Sequence, residues 1–145
     1  MAGPLDHYLR GLETSTKNNS LAYGYSVAIS ATFGALDHFH PGPTIVELFL
    51  FCVGAGAAFA VINAGVTRGY RSHPPDEPAV VIALGTSFGV VSITAAVAAG
   101  AALAWTIGSW PAWLLTSFLA TVVYVLAVGV EMALAGALHD EGAHR

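Results

Sequence analysis

The apolar positions of the chain fall into four long segments that are separated by shorter polar stretches. These segments cover about residues 19–36, 44–65, 79–107 and 112–134. A helix needs roughly 20 apolar residues to cross the hydrocarbon core of a bilayer, and each segment approaches or exceeds that length. The pattern therefore predicts an all-α, polytopic membrane protein whose four transmembrane helices form a single membrane domain, residues 1–145.

The residues before the first segment have a different pattern. Apolar side chains recur there at helical spacing with charged residues between them, at Leu5, Tyr8, Leu9 and Leu12. This spacing predicts a short amphipathic helix at about residues 4–14. The helix would lie at the membrane surface or pack against the cytoplasmic end of the bundle, and the sequence leaves both open.

The first apolar segment carries a line of polar residues, which we call the polar stripe. It consists of Asn19, Tyr23, Ser26, Ser30 and Asp37. Wound as a helix, these residues fall on one face, and the opposite face holds small and apolar residues. The polar stripe therefore has the composition of a helix face that lines water, while the other face suits lipid or a neighbouring helix.

Small residues predict where two further helices approach their neighbours closely. In the second segment Cys52, Gly56, Ala60 and Asn63 share one face, and in the third Ala96, Gly100 and Ala104 do so. The turn formers of residues 37–43 predict that the first two segments are antiparallel neighbours. Three tryptophans near the third and fourth segments predict an aromatic belt at the membrane interface: Trp105, Trp110 and Trp113.

Composition and charge agree with a membrane protein and suggest its orientation. The chain is 55% hydrophobic and 10% charged, and its mean hydropathy is +0.66. The net charge of −4 comes with no basic patch, which argues against nucleic acid as a partner. With four spans, every basic residue lies on one side: Arg10, Lys17, Arg68, Arg71 and Arg145. The positive-inside rule then predicts cytoplasmic N- and C-termini, in the plasma (inner) membrane.

Two acidic residues lie inside the predicted spans, where a charge is costly, so each is a candidate functional group. Glu47, near Asp37 at the outer end, would form an acidic ring in an oligomer, or would instead cap the N-terminus of its helix. Glu131 ends a heptad-spaced series with Ser117 and Tyr124. It would be a proton or cation site, or would pair with one of the basic residues Lys17, Arg68 and Arg71.

The segment that joins the first two spans contains two histidines, His38 and His40, beside Asp37. They are candidates for sensing pH or a metal ion, since imidazole titrates near neutral pH and binds divalent metals, although an ordinary solvated loop explains them as well. The spacing defines no metal site, and we expect no cofactor. No nucleophile and base can be paired from the sequence, and we expect the protein not to be an enzyme.

These features predict a homo-oligomeric channel that conducts an inorganic cation, or a small ion transporter. Its pathway would use Tyr23, Ser26, Ser30 and Asp37 of the first span together with the two acidic residues of the other spans. The path would run on an axis between subunits, because a bundle of alanine and glycine packs too closely for a pore. The alternative is a non-conducting membrane subunit whose polar face docks a partner membrane protein.

Overall fold

A computed structural model of the chain describes residues 4–69 and 89–143, with side chains described at residues 22–65 and 89–134. These residues form four α-helices and no strand: α1 (Pro4–Phe39), α2 (Ile45–Gly69), α3 (Gly89–Thr106) and α4 (Pro111–Ala143). Three segments are long and apolar enough to cross a membrane: Ile45–Gly65, Gly89–Thr106 and Pro111–Leu134. The described part of the chain therefore has helices and no strands, and its three long apolar helices indicate an integral membrane protein.

The predicted spans agree with these helices to different extents. The second and fourth spans, 44–65 and 112–134, match their helices closely. The third, 79–107, is described only from Gly89, and its first ten residues lie outside the described part. Helix α1 is not among the three span candidates, because the tyrosine, serine, threonine and glycine residues of its described part keep that part less apolar than the other helices, so a fourth span stays a prediction.

The short amphipathic helix predicted at residues 4–14 is not confirmed as a separate element. Helix α1 runs without interruption from Pro4 to Phe39, over 36 residues. The stretch of residues 12–20, where a break was expected, is rich in serine, threonine and asparagine, which are weak helix formers, but it contains neither glycine nor proline, so no strong helix breaker interrupts α1. Residues 4–14 are therefore the first turns of α1.

Helix α4 packs against the other three helices, and α1 also packs against α3. Helices α1 and α3 run in one direction and α2 and α4 in the other, since short turns join α1 to α2 and α3 to α4. In the described part, the backbones of α1 and α2 do not pack against each other. These two helices are antiparallel as predicted, but they meet mainly through aromatic rings, at Phe33–Phe51 and Tyr25–Phe59.

The space between α1 and α2 forms an apolar cleft on the side of α4. It has a volume of about 390 Å³ and is lined by Ala22, Tyr25, Phe59, Tyr124, Val125 and Val128. The ring of Tyr25 contacts Phe59 at a centroid distance of 5.1 Å and Tyr124 at 5.6 Å. Tyr25 therefore bridges α2 and α4 across the gap that the two backbones leave.

The predicted small-residue face of α3 is confirmed. Four residues spaced by one turn are buried there: Ser92, Ala96, Gly100 and Ala104. A Cβ atom at Gly100 would come within 2.7 Å of Cγ2 of Thr32 and 3.4 Å of Cγ2 of Thr116. Gly100 thus lets α3 approach both α1 and α4 closely.

The predicted small-residue face of α2 does not meet another described helix of its own bundle. Its residues Cys52, Gly56, Ala60 and Asn63 are exposed, and the helix buries Phe51, Gly54 and Ala58 instead. A Cβ atom at Gly54 would collide with the backbone oxygen of Leu114 and with Oγ of Ser117. Small residues occur on both faces of α2, and the burial of the large Phe51 ring selects the face that meets α4.

Two of the three tryptophans of the predicted aromatic belt are exposed, as a belt requires, and the third is not. Trp105 and Trp110 are 77% and 64% exposed, whereas Trp113 is only 1% exposed. Trp113 lies in the core at the α1–α2 turn, with its ring centroid 5.7 Å from Phe33 and 6.5 Å from Phe51. It contributes to the packing of three helices and not to the lipid interface.

Candidate functional site

The inner face of α4 carries a line of buried polar side chains, which we call the polar column. Its members are Thr116, Ser117, Thr121, Tyr124 and Glu131. At 1.5 Å per helical residue the column extends for about 22 Å, which is most of the thickness of a bilayer core. The predicted series Ser117, Tyr124 and Glu131 is thus a buried face of α4, directed into the bundle.

Most hydroxyl groups in and around the polar column have partners that explain their burial. Ser117 donates to the backbone oxygens of Trp113 and Leu114, at 3.1 and 3.0 Å. The hydroxyl groups of Tyr25 and Thr121 lie 3.0 Å apart and connect α1 to α4. Such bonds offset the cost of removing hydroxyl groups from water, so these residues have a structural role.

The hydroxyl oxygen of Thr116 is buried without a hydrogen-bond partner among the described residues, and so is one oxygen atom of Glu131, which unlike threonine can carry a charge. Glu131 is 9% exposed, and Ser92 of α3 donates a hydrogen bond of 2.6 Å to its Oε2 atom. Its Oε1 atom is buried and has no hydrogen-bond partner among the described residues. Burying a carboxylate with so little compensation is expensive, which makes Glu131 the strongest candidate for a functional group.

The alternative prediction for Glu131 was an ion pair with a basic residue. The side chains of Lys17, Arg68 and Arg71 lie outside the described residues, so this pairing remains untested. Within the described part, the hydrogen-bond partner of Glu131 is a neutral serine.

Glu47 caps the N-terminus of α2 through a reciprocal arrangement with Thr44. The backbone nitrogen and the hydroxyl group of Thr44 both donate to Oε2 of Glu47, each at 2.8 Å, and the backbone nitrogen of Glu47 donates to Oγ1 of Thr44 at 3.3 Å. This is a capping box. The structural role that the sequence left open for Glu47 is therefore present, whereas its place in an acidic ring stays a prediction.

We expect the Thr44→Ala variant to lose about 1 kcal/mol of stability, because it removes the capping hydroxyl group from α2. Glu47→Gln should have a smaller effect, since the amide oxygen still accepts the bonds from Thr44. Unfolding of the purified protein in detergent, followed by circular dichroism, measures both. Thr94→Ala is the matched control, because the exposed Thr94 hydroxyl group bonds only to Val90 of its own helix. Equal losses for Thr44→Ala and Thr94→Ala would contradict the capping role.

The described residues of the polar stripe lie on the outside of the bundle. Tyr23 is 72% exposed, Ser26 and Ser30 are exposed, and Asp37 is half-buried. The opposite face of α1 is the buried one, with Ala28, Thr32 and Leu36. The polar stripe therefore faces the surroundings of the protomer and not the interior of its own bundle.

Two residues of the polar stripe form local hydrogen bonds. Ser26 donates to the backbone oxygen of Ala22 at 2.9 Å, and Asp37 accepts a bond of 3.3 Å from the backbone nitrogen of Gly42. Gly42 has a φ angle of 76°, which a glycine adopts without strain, so this bond fixes the turn between α1 and α2. The side chain of Asn19 lies outside the described residues.

The two histidines have different surroundings. His38 is exposed, and its ring lies 5.4 Å from that of Phe39. His40 donates from Nε2 to the backbone oxygen of Ala104 at 3.0 Å and so caps the C-terminus of α3. Among the described residues, no three or more histidine, cysteine or acidic side chains come together where they could hold a metal ion.

Sequence reasoning did not identify Thr32, Ser92, Thr116 and Thr121 as buried polar residues. The burial of Ser92 was predictable from the sequence, because Ser92 precedes Ala96 by four residues and extends the small-residue face of α3 by one turn. The threonines gave no such signal, since threonine is common in membrane helices and its burial depends on which neighbour it meets.

The chain matches no protein-family model, no curated protein and no solved structure. Two features of its own geometry bear on its function. One is the outward-facing polar stripe of α1, and the other is the buried carboxyl group of Glu131.

Proposed function

We propose that the chain is the subunit of a homo-oligomeric membrane protein that moves an inorganic cation, either as a channel or as a small transporter. The observation that carries the proposal is the direction of the polar stripe. Tyr23, Ser26 and Ser30 face away from the bundle of their own protomer. Lipid tails offer these groups no hydrogen bonds, whereas several copies around an axis would bring the stripes together and enclose water.

In this arrangement the hydroxyl groups of α1 replace part of the hydration shell of the cation. Asp37 lies at the end of the stripe, next to the turn, where repeated carboxylates would favour cations and repel anions. Glu47 adds its charge at the same end while it caps α2. In a transporter, Glu131 would be the carboxyl group that couples cation binding to a conformational change. The distribution of basic residues along the sequence supports cytoplasmic N- and C-termini for this protein.

The second candidate is a non-conducting subunit that docks a partner membrane protein. One observation favours it: the Ser26 hydroxyl group is already satisfied by Ala22 of its own helix and does not require water. The polar stripe would then pack against the helices of the partner.

Thiol accessibility separates the two candidates. The exposed Cys52 is first replaced by serine, and single cysteines are placed at Ser26 and Ser30 of the stripe. For an aqueous path, we expect both to react with a charged, membrane-impermeant thiol reagent. A cysteine at Val27, which is exposed on a different face of α1, should react far more slowly, and one at the buried Ala28 should be inert.

The same protein in liposomes provides the second half of this test. The aqueous path predicts selective cation flux that Asp37→Asn weakens. Absence of flux from folded, oligomeric protein, together with inert cysteines at Ser26 and Ser30, would contradict the conducting function and favour the docking subunit.

A further inference from the structure

The Glu131 carboxyl group lies between two helices that pack closely. It projects from the inner face of α4, and Ser92, at the first turns of α3, contacts it from the opposite side. One carboxyl oxygen is thus engaged, and the other is buried without a partner among the described residues. Buried polar atoms in proteins normally have a hydrogen-bond partner, so we expect the second oxygen atom to bind a further group or ion.

The surroundings supply few groups that could bind it. Helix α3 contains no acidic, basic, histidine, tyrosine or cysteine residue. The titratable side chains described on the faces of α1 and α4 that meet here are Tyr25 and Tyr124. On α2, Glu47 lies at the opposite end and Cys52 is exposed. The basic residues Lys17 and Arg68 belong to α1 and α2, and their side chains lie outside the described residues.

The small number of oxygen atoms at the site favours a proton as the occupant. An alkali cation needs several oxygen atoms in place of its hydration shell. The described side chains offer it only the two carboxyl oxygens and the Ser92 hydroxyl group, and the hydroxyl group already donates to one of these carboxyl oxygens. A proton needs a single oxygen atom and no additional space.

We propose that Glu131 and Ser92 form a reversible proton-binding site inside the protomer, between α3 and α4. The proposal rests on the proposed function in one respect, which is that the moved cation is a proton. Binding forms the O–H bond of the neutral carboxylic acid, and release returns the proton to water and leaves a carboxylate.

Proton release has a structural consequence. It leaves a negative charge beside one hydroxyl group in a closely packed contact, which is unstable unless water enters or the helices separate. The contact that must loosen is the small-residue face of α3, from Ser92 towards Ala104, against α4. Proton occupancy of Glu131 therefore selects between a closed and an open contact of α3 with α4.

Infrared difference spectroscopy of the full-length protein in lipid tests the site directly. We expect a carbonyl band of a protonated carboxyl group that appears in acidic buffer and disappears reversibly in alkaline buffer. The Glu131→Gln variant should lack this band, and Glu47→Gln, the matched control at the other end of the bundle, should retain it. Ser92→Ala should shift the band to the position of a carboxyl group that lacks a hydrogen bond. After correction for the intrinsic pH dependence of amide exchange, hydrogen exchange of the α3 amides should accelerate on deprotonation in the wild type but not in Glu131→Gln.

Two spectroscopic results would overturn the proposal. One is a set of wild-type spectra without a titrating band that Glu131→Gln removes. The other is a band that moves with sodium concentration at constant pH, which would identify a metal-cation site. Because Ser92→Ala removes only one hydroxyl group, it tests the site even if Glu131→Gln does not fold. Flux that persists in Glu131→Gln would overturn the site and leave the conducting function intact, whereas a titrating band without flux would support the site and contradict conduction.

Discussion

Replacing Gly54 by alanine is expected to destabilise the protein by about 1–3 kcal/mol. The added Cβ atom would collide with the backbone oxygen of Leu114 and with the hydroxyl group of Ser117. A side chain can rotate away, but the Leu114 oxygen belongs to the backbone of α4 and moves only with the helix. Since α4 is the helix against which the α2 backbone packs, we expect this whole contact to loosen.

Gly56 provides the matched control on the same helix. It is exposed, and a Cβ atom there would meet nothing within 4 Å. Gly56→Ala should change stability by no more than about 0.5 kcal/mol, or stabilise slightly through helix propensity. Unfolding of both variants in mixed detergent micelles, followed by circular dichroism, gives the comparison. Similar losses for the two variants would show that α2 does not meet α4 through Gly54.

Gly54 and Gly56 also show which parts of the fold could be predicted from the sequence. The spans follow from local composition, because a lipid-exposed segment must satisfy its backbone as a helix wherever its neighbours lie. The face that a helix buries depends on those neighbours. In α3 small residues favour one face, and the prediction was confirmed. In α2 small residues occur on both faces, and the sequence favoured the face of Gly56 over that of Gly54.

The features of the candidate site also differ in how far the sequence could predict them. The cap at Glu47 is local, and the sequence Thr44-Ile-Val-Glu47 contains the whole capping box. The position of Glu131 as an acidic group within a span was also predictable. Its contact with Ser92 was not, because it joins residues 39 apart in the chain and depends on how α3 and α4 are aligned.

Replacing Glu131 by leucine distinguishes the two interpretations of this residue by the sign of its effect on stability. If Glu131 serves function at the expense of stability, Glu131→Leu removes a buried, unpartnered oxygen and should stabilise the fold by about 1–3 kcal/mol. The Ser92 hydroxyl group can then bond to a carbonyl of its own helix, as serines in helices commonly do. Proton-dependent flux from liposomes should be lost in the same variant.

The ion-pair interpretation predicts the opposite sign. If Lys17 or Arg68 neutralised Glu131, leucine would leave a positive charge unpaired at the end of the bundle and cost about 3–5 kcal/mol. Glu131→Gln is the control for shape, because it keeps an oxygen that accepts from Ser92. Unfolding free energies and flux measured on the same preparations make the comparison. If Glu131→Leu is more stable than the wild type and no longer moves protons, Glu131 is present for function. If Glu131→Leu is less stable, Glu131 stabilises the bundle through an ion pair.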